Sequence, residues 1–238
     1  MSKHNFESQP EGDWDDKGDI SWNEIDWQRF LTRQENEVAR FLKIYDNANT
    51  QSLERLDWVA RQMGWDTDDW SISDFPEEED ELEADDVWKQ KDELQGQGPT
   101  DFDPYTLHRH PVYVVSSGLL INVRYIWKHA IELRKGHIDN SLSWEFAESL
   151  SEIEKHILMA LQSMEMGDYL LCVVHLKRAL RGVNLSLQIL PNIQTQSQIP
   201  AAFIRKITVR VFDLREVCLR VIKDCRDEEK RGFRDSDG

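Results

Sequence analysis

Arg124 and His129 are the pair in this chain whose types best suit catalysis. An imidazole moves protons near neutral pH and a guanidinium grips a phosphate, so together they fit chemistry at a phosphodiester. Five residues along one continuous α-helix leave two side chains ~140° apart. The two therefore converge only if the helix breaks or a second subunit contributes. Glu152 and His156 lie four apart on one helix face and read as a charge pair, although the same spacing can hold a metal. Cys172, His175, Ala179, Gly182 and Ser186 form a row at 3-4-3-4 spacing. Small residues in such a row let another helix approach closely, which offers a face for homo-oligomer contact with His175 hydrogen-bonded within it. Asp66, Asp68 and Asp69 supply oxygens in a short stretch but lack the glycine and closing glutamate of an EF-hand. His108 and His110, beside Arg109 and Pro111, read as the entry to a helix. No metal site and no cofactor is expected.

The segment Arg124-Tyr-Ile-Trp-Lys-His129 resembles, in its arginine, four residues, histidine spacing, the ribonuclease motif of HEPN-family helical bundles. That resemblance implies RNA cleavage or nucleotide binding on a helical bundle, with Arg124 and His129 as the site. The chain departs from the pattern at Tyr125, where the family commonly has a polar group. Gly167-Asp-Tyr-Leu-Leu171 resembles the inter-helix turn of tetratricopeptide units and of HEPN bundles alike. Its physical basis is general, since glycine closes one helix and aspartate caps the next.

The elements that must carry these residues are helices. Residues 1–19 are polar, acidic and expected to be disordered. A hairpin over 20–64 begins near Ser21, where Ser21-Trp-Asn-Glu24 has capping-box spacing, and its second helix, from about Ser52 to Met63, closes at Gly64. Residues 65–104 form an acidic, tryptophan-containing linker. The rest, 105–230, reads as an antiparallel four-helix bundle over about 110–226. Its first helix, roughly 110–135, is apolar over more than half its circumference and therefore central. The next follows Ser141 or Ser143 and ends at Gly167. Asp168 caps a third, which Pro191 and a Gln-rich loop terminate, and a fourth begins near Ser197. Residues 231–238 read as a frayed tail. The fold class is thus all-α, a bundle preceded by an acidic hairpin and a charged linker.

Charge divides the chain more sharply than hydropathy does. Residues 1–104 carry 29 acidic against 10 basic side chains, and 105–238 carry 16 against 19, which together make the net −16. Seven of the nine tryptophans lie in the acidic part. Such a balance disfavours nucleic acid and anionic membranes as partners. The longest apolar stretch, Val112 to Val123, is far short of the ~20 residues a membrane span needs. Three cysteines without CxxC spacing fit a reducing compartment, and the expected location is the cytoplasm.

These features point to a non-enzymatic adaptor or regulatory interaction protein. Its acidic arm would engage a basic protein surface or its own bundle, with Trp65, Trp70, Phe75 and Trp88 as anchors. Lys177, Arg178, Arg181, Arg205, Lys206 and Arg210 form the basic docking surface that the arm could meet in cis. The HEPN-like RNA-cleaving or nucleotide-binding bundle is the alternative.

Overall fold

The computed structural model describes residues 22–49, 52, 54–65, 106–133, 138–197 and 199–236. Six α-helices run in the order α1 (Glu24–Asn47), α2 (Arg55–Met63), α3 (Pro111–Leu133), α4 (Asn140–Glu165), α5 (Tyr169–Ser197) and α6 (Ala201–Ser236), with one 3-10 turn at Leu107–Arg109 before α3. The described residues contain no strand. The expected disordered N-terminus and nearly all of the linker lie outside the described residues.

Capping chemistry sets most of the helix ends. Asn23, not Ser21, caps α1: its Oδ1 accepts from Ile25 and Asp26 N–H, and Asp26 Oδ2 accepts from the Asn23 N–H. The capping box therefore lies two residues beyond its expected place, because Asn with Asp three residues on satisfies the same donors as Ser with Glu. Gly64 ends α2 with φ 81, a left-handed value that glycine adopts without strain. Asp139 rather than Ser141 or Ser143 opens α4, accepting from Ser141 N–H. Gly167, φ 76, and Asp168, whose Oδ1 accepts from Leu171 N–H, make the α4–α5 corner as expected.

Pro191 does not end α5, which continues to Ser197. A proline inside a helix costs about 3 kcal/mol. Ile189, Leu190 and Ile193 on the same stretch are buried, at about 1.5–3 kcal/mol each, so burial outweighs the lost backbone bond. The expected frayed tail is also corrected, since α6 stays helical to Ser236.

Helices α3 to α6 pack antiparallel in sequence. His156 meets His175 and Ser149 meets Ser186, so α4 and α5 run in opposite directions. Trp127 on Phe146 and Arg124 on Glu154 show the same for α3 and α4. Helix α6 closes the bundle against both α5 and α3.

The hairpin does not stand apart. Val38, Phe41, Tyr45, Leu56, Val59, Ala60 and Met63 join the α3–α6 side chains in one continuous buried cluster. The expected division between residues 20–64 and the bundle is therefore not a division of the core. The cause lies at Gly118, where an added Cβ would sit 2.7 Å from Phe41 Cδ1. Helix α3 gives up a side chain there so that α1 can lie against it, and its broad apolar face then serves α1, α4 and α6 together.

Candidate functional site

Helix α3 is unbroken from Pro111 to Leu133, so Arg124 and His129 face different neighbours. Arg124 is held by α4, with Nη2 at 2.6 Å from Glu154 Oε2 and Nη1 at 3.1 Å from Oε1. The His129 ring lies 5.8 Å from that of Phe203 on α6. No shared cleft brings the two together, as their angular separation on one helix requires.

The small-residue row of α5 is occupied within the chain. Gly182 admits α4 so closely that a Cβ would lie 2.8 Å from Ile153 Cγ1 and 3.1 Å from the Ser149 carbonyl oxygen. Ser186 and Ser149 share a 2.7 Å hydrogen bond, and Cys172 Sγ lies 3.6 Å from Cys225 Sγ on α6. All five residues of the row are buried. The expected homo-oligomer face is therefore corrected to an intramolecular seam. The chemistry of close approach was read rightly, but the partners are α4 at His175, Gly182 and Ser186 and α6 at Cys172.

Of the expected aromatic anchors, Trp65 packs against the core, stacked on Phe41 with ring centroids 6.2 Å apart and planes at 19°. It is a structural anchor of the α2 end. Trp70, Phe75 and Trp88 lie outside the described residues, as do Asp66, Asp68 and Asp69.

The basic residues separate into two groups. Lys177, Arg178 and Arg181 on α5, with Arg205 and Lys206 on α6, are exposed and make no ion pair among the described residues. Arg210 is the correction: it is 7 % exposed, its Nη2 donates to Asp46 Oδ1 at 2.6 Å, and its guanidinium lies 5.3 Å from the centre of the Tyr45 ring. One turn on, Asp213 receives Arg55 from α2 and the Tyr45 hydroxyl from α1, while Arg220 grips Asp57. Acidic groups of the N-terminal region are thus taken in cis by α6, but they belong to the folded hairpin. Burial, and then the Asp213 carboxylate, push the Tyr45 hydroxyl well above its usual range, so it remains a donor.

Two further features complete the exposed basic face. Residues 169–212 contain six Lys or Arg, of which Arg210 alone is buried, and no Asp or Glu, so no acid on that stretch offsets the five exposed cations. Exposed apolar side chains lie among the cations, Val174 and Leu185 on α5 and Phe212 and Leu219 on α6, with Arg215 and Arg226 also exposed. Sequence reasoning missed these apolar members because the i, i+3, i+4 stripe directs attention to the opposite side of each helix. The absence of acid over 44 residues was the signal available for the face as a whole.

The histidines divide likewise. His110 is buried at the start of α3, its Nδ1 accepting the Val112 N–H, and burial pushes its pKa down to about 4. His156 and His175 meet across α4 and α5, Nδ1 to Nδ1 at 3.3 Å. Sequence spacing did not reveal that pair, yet folding the chain about Gly167 places the two near one another. Among the described residues no three His, Cys, Asp or Glu converge as a metal set. The three cysteines are free and buried, and burial raises the Cys218 thiol to about 12, leaving it an unreactive neutral thiol. No described helix is long and apolar enough to cross a membrane.

Compared with protein-family models, with curated proteins and with solved structures, the chain matches none.

Proposed function

We propose that this chain is a non-enzymatic interaction protein of regulatory or adaptor type, whose acidic, tryptophan-bearing segment engages basic protein surface, its own or a partner's. One observation carries the reading. The exposed Lys177, Arg178, Arg181, Arg205 and Lys206 make no ion pair among the described residues, while residues 66–105 hold sixteen acidic against two basic side chains. Opposite charge of that density on one chain gives a high local concentration of binding segment for binding surface. The exposed Val174, Leu185, Phe212 and Leu219 supply apolar ground for Trp70, Phe75 or Trp88, which charge attraction alone would not hold in register. The unbridged thiols fit a reducing compartment, the cytoplasm in this reading.

Carbodiimide cross-linking of the intact protein tests it, because that reagent joins carboxylates to lysines only in direct contact. The reading expects links from carboxylates of 66–105 to Lys177 or Lys206 at low salt. They should vanish at 1 M salt, where the screening length falls to about 3 Å. If no such links form and the chain also captures no basic protein through residues 66–105, the reading fails. Capture without links assigns the segment to a partner in trans.

A further inference from the structure

Two buried imidazoles facing each other through the same ring nitrogen need something between them. His156 Nδ1 and His175 Nδ1 are 3.3 Å apart, and the rings are inclined at 32°. The opposite nitrogen of His156, Nε2, lies 3.4 Å from Glu152 Oε2. A carboxylate on that side favours the His156 proton on Nε2, the tautomer that leaves Nδ1 as a lone pair toward His175. In the metal-free protein His175 must then donate its own Nδ1 proton into that gap.

A proton is not the only species that fits. Two nitrogens bound at 2.0–2.1 Å to one tetrahedral ion stand about 3.3 Å from each other. The spacing across the α4–α5 seam is therefore already that of a two-imidazole metal site. We propose that His156 and His175 form a binding site for a late first-row divalent cation of the Zn2+, Ni2+ or Cu2+ class, with Glu152 as the carboxylate that orients His156. On binding, His175 moves its proton from Nδ1 to Nε2 through solvent, and both Nδ1 lone pairs go to the ion.

The surroundings define what such a site can hold. Each histidine is 8 % exposed, and Met159 and Leu171, one turn away on their own helices, are exposed, so the pair sits at the margin of the seam. Among the described residues no third protein ligand of the usual types converges there, so the remaining coordination positions of a bound ion would fall to water. Cys172 stands three residues before His175 but is directed at Cys225. Lys155 on α4 and Arg178 on α5 oppose a cation, and Glu152 favours one. Neutral nitrogen donors with little oxygen select imidazole-seeking ions over Mg2+ or Ca2+.

Calorimetric titration of the full chain with ZnCl2 near pH 7.5, with MgCl2 as control, tests the site. One Zn2+ should bind per chain and Mg2+ should not. His156→Gln and His175→Gln should each weaken binding at least about tenfold, and Glu152→Gln, at an exposed carboxylate, about 10–100-fold. Should either histidine variant fail to fold, long-range proton–nitrogen spectra of the unaltered protein give the same answer, because Nδ1 of both rings must shift on saturation with Zn2+. Absence of one-to-one uptake, Zn2+ binding unchanged in a folded histidine variant, or unmoved Nδ1 resonances would each overturn the proposal.

Discussion

Asp213 on α6 accepts two hydrogen bonds from Arg55 on α2, Nη2 to Oδ1 at 2.6 Å and Nε to Oδ2 at 2.9 Å. Both residues are 7 % exposed, and the Tyr45 hydroxyl of α1 donates to the same carboxylate. Three helices thus share one buried anion. Removing one partner leaves a charge without water or counter-ion, which costs about 3–5 kcal/mol. We expect Asp213→Asn and Arg55→Met each to lose about 3 kcal/mol in urea unfolding. The double variant should lose less than the two single losses combined, because no charge is stranded. Additive losses would show that the pair is not coupled.

The α4–α5 contact predicts an opposite response to a change that usually helps a helix. Glycine to alanine in a helix interior gains about 1 kcal/mol of propensity. At Gly182 the new methyl would meet fully buried Ile153 at 2.8 Å and a backbone oxygen at 3.1 Å, neither of which yields easily. Overpacking of this kind costs about 1–3 kcal/mol. Gly182→Ala should therefore destabilise by about 1 kcal/mol net, read as a lower urea midpoint at unchanged slope. A raised midpoint would mean the seam is loose.

Which parts of this molecule were legible beforehand follows from what each signal encodes. Helix spacing reports one apolar face, so the stripes of α3 to α6 and the Gly167-Asp168 corner could be read directly. Asn23 displaced Ser21 as a cap because Asn23 with Asp26 offers the same reciprocal bonds as Ser21 with Glu24, and local spacing does not choose between two such boxes two residues apart. The charge division between the chain's two parts suggested two bodies, but charge sits on surfaces and Phe41 sits in the core beside Gly118. The small-residue row announced a close helix contact without its address. His156 and His175 meet only through tertiary register, which no local period contains.

His110 gives the chain a pH response with a definite sign. Burial holds its folded pKa at about 4, below the unfolded value of about 6.5. The unfolded chain therefore binds more protons between those values, and stability falls as pH drops from 6.5 towards 4, by about 3 kcal/mol for this group. His156 is shifted in the same direction, burial outweighing the pull of Glu152, and adds to the slope. Unfolding free energy measured from pH 7.5 to 4.5 should decline in the wild type. In His110→Gln the decline should be shallower by close to one proton, whatever constant loss the substitution brings. Parallel curves would place His110 in water.

Arg210 and Arg181 make the sharpest contrast among the cations, since both belong to one basic surface by sequence. Arg181 is exposed with no ion pair among the described residues. Arg210 is buried over the Tyr45 ring and bound to Asp46. Arg181→Glu should change unfolding free energy by no more than about 0.5 kcal/mol. Arg210→Ala removes a buried cation from beside Asp46 and the Tyr45–Asp213 group, and should cost about 2–4 kcal/mol. The same two variants separate folding from interaction. Arg181→Glu should weaken carbodiimide cross-linking of residues 66–105 to Lys177 in a protein that unfolds like the wild type. Arg210→Ala should lower the unfolding midpoint while leaving those links in place below it. Equal stability losses in the two variants would show that Arg210 on α6 is no more part of the core than Arg181 on α5.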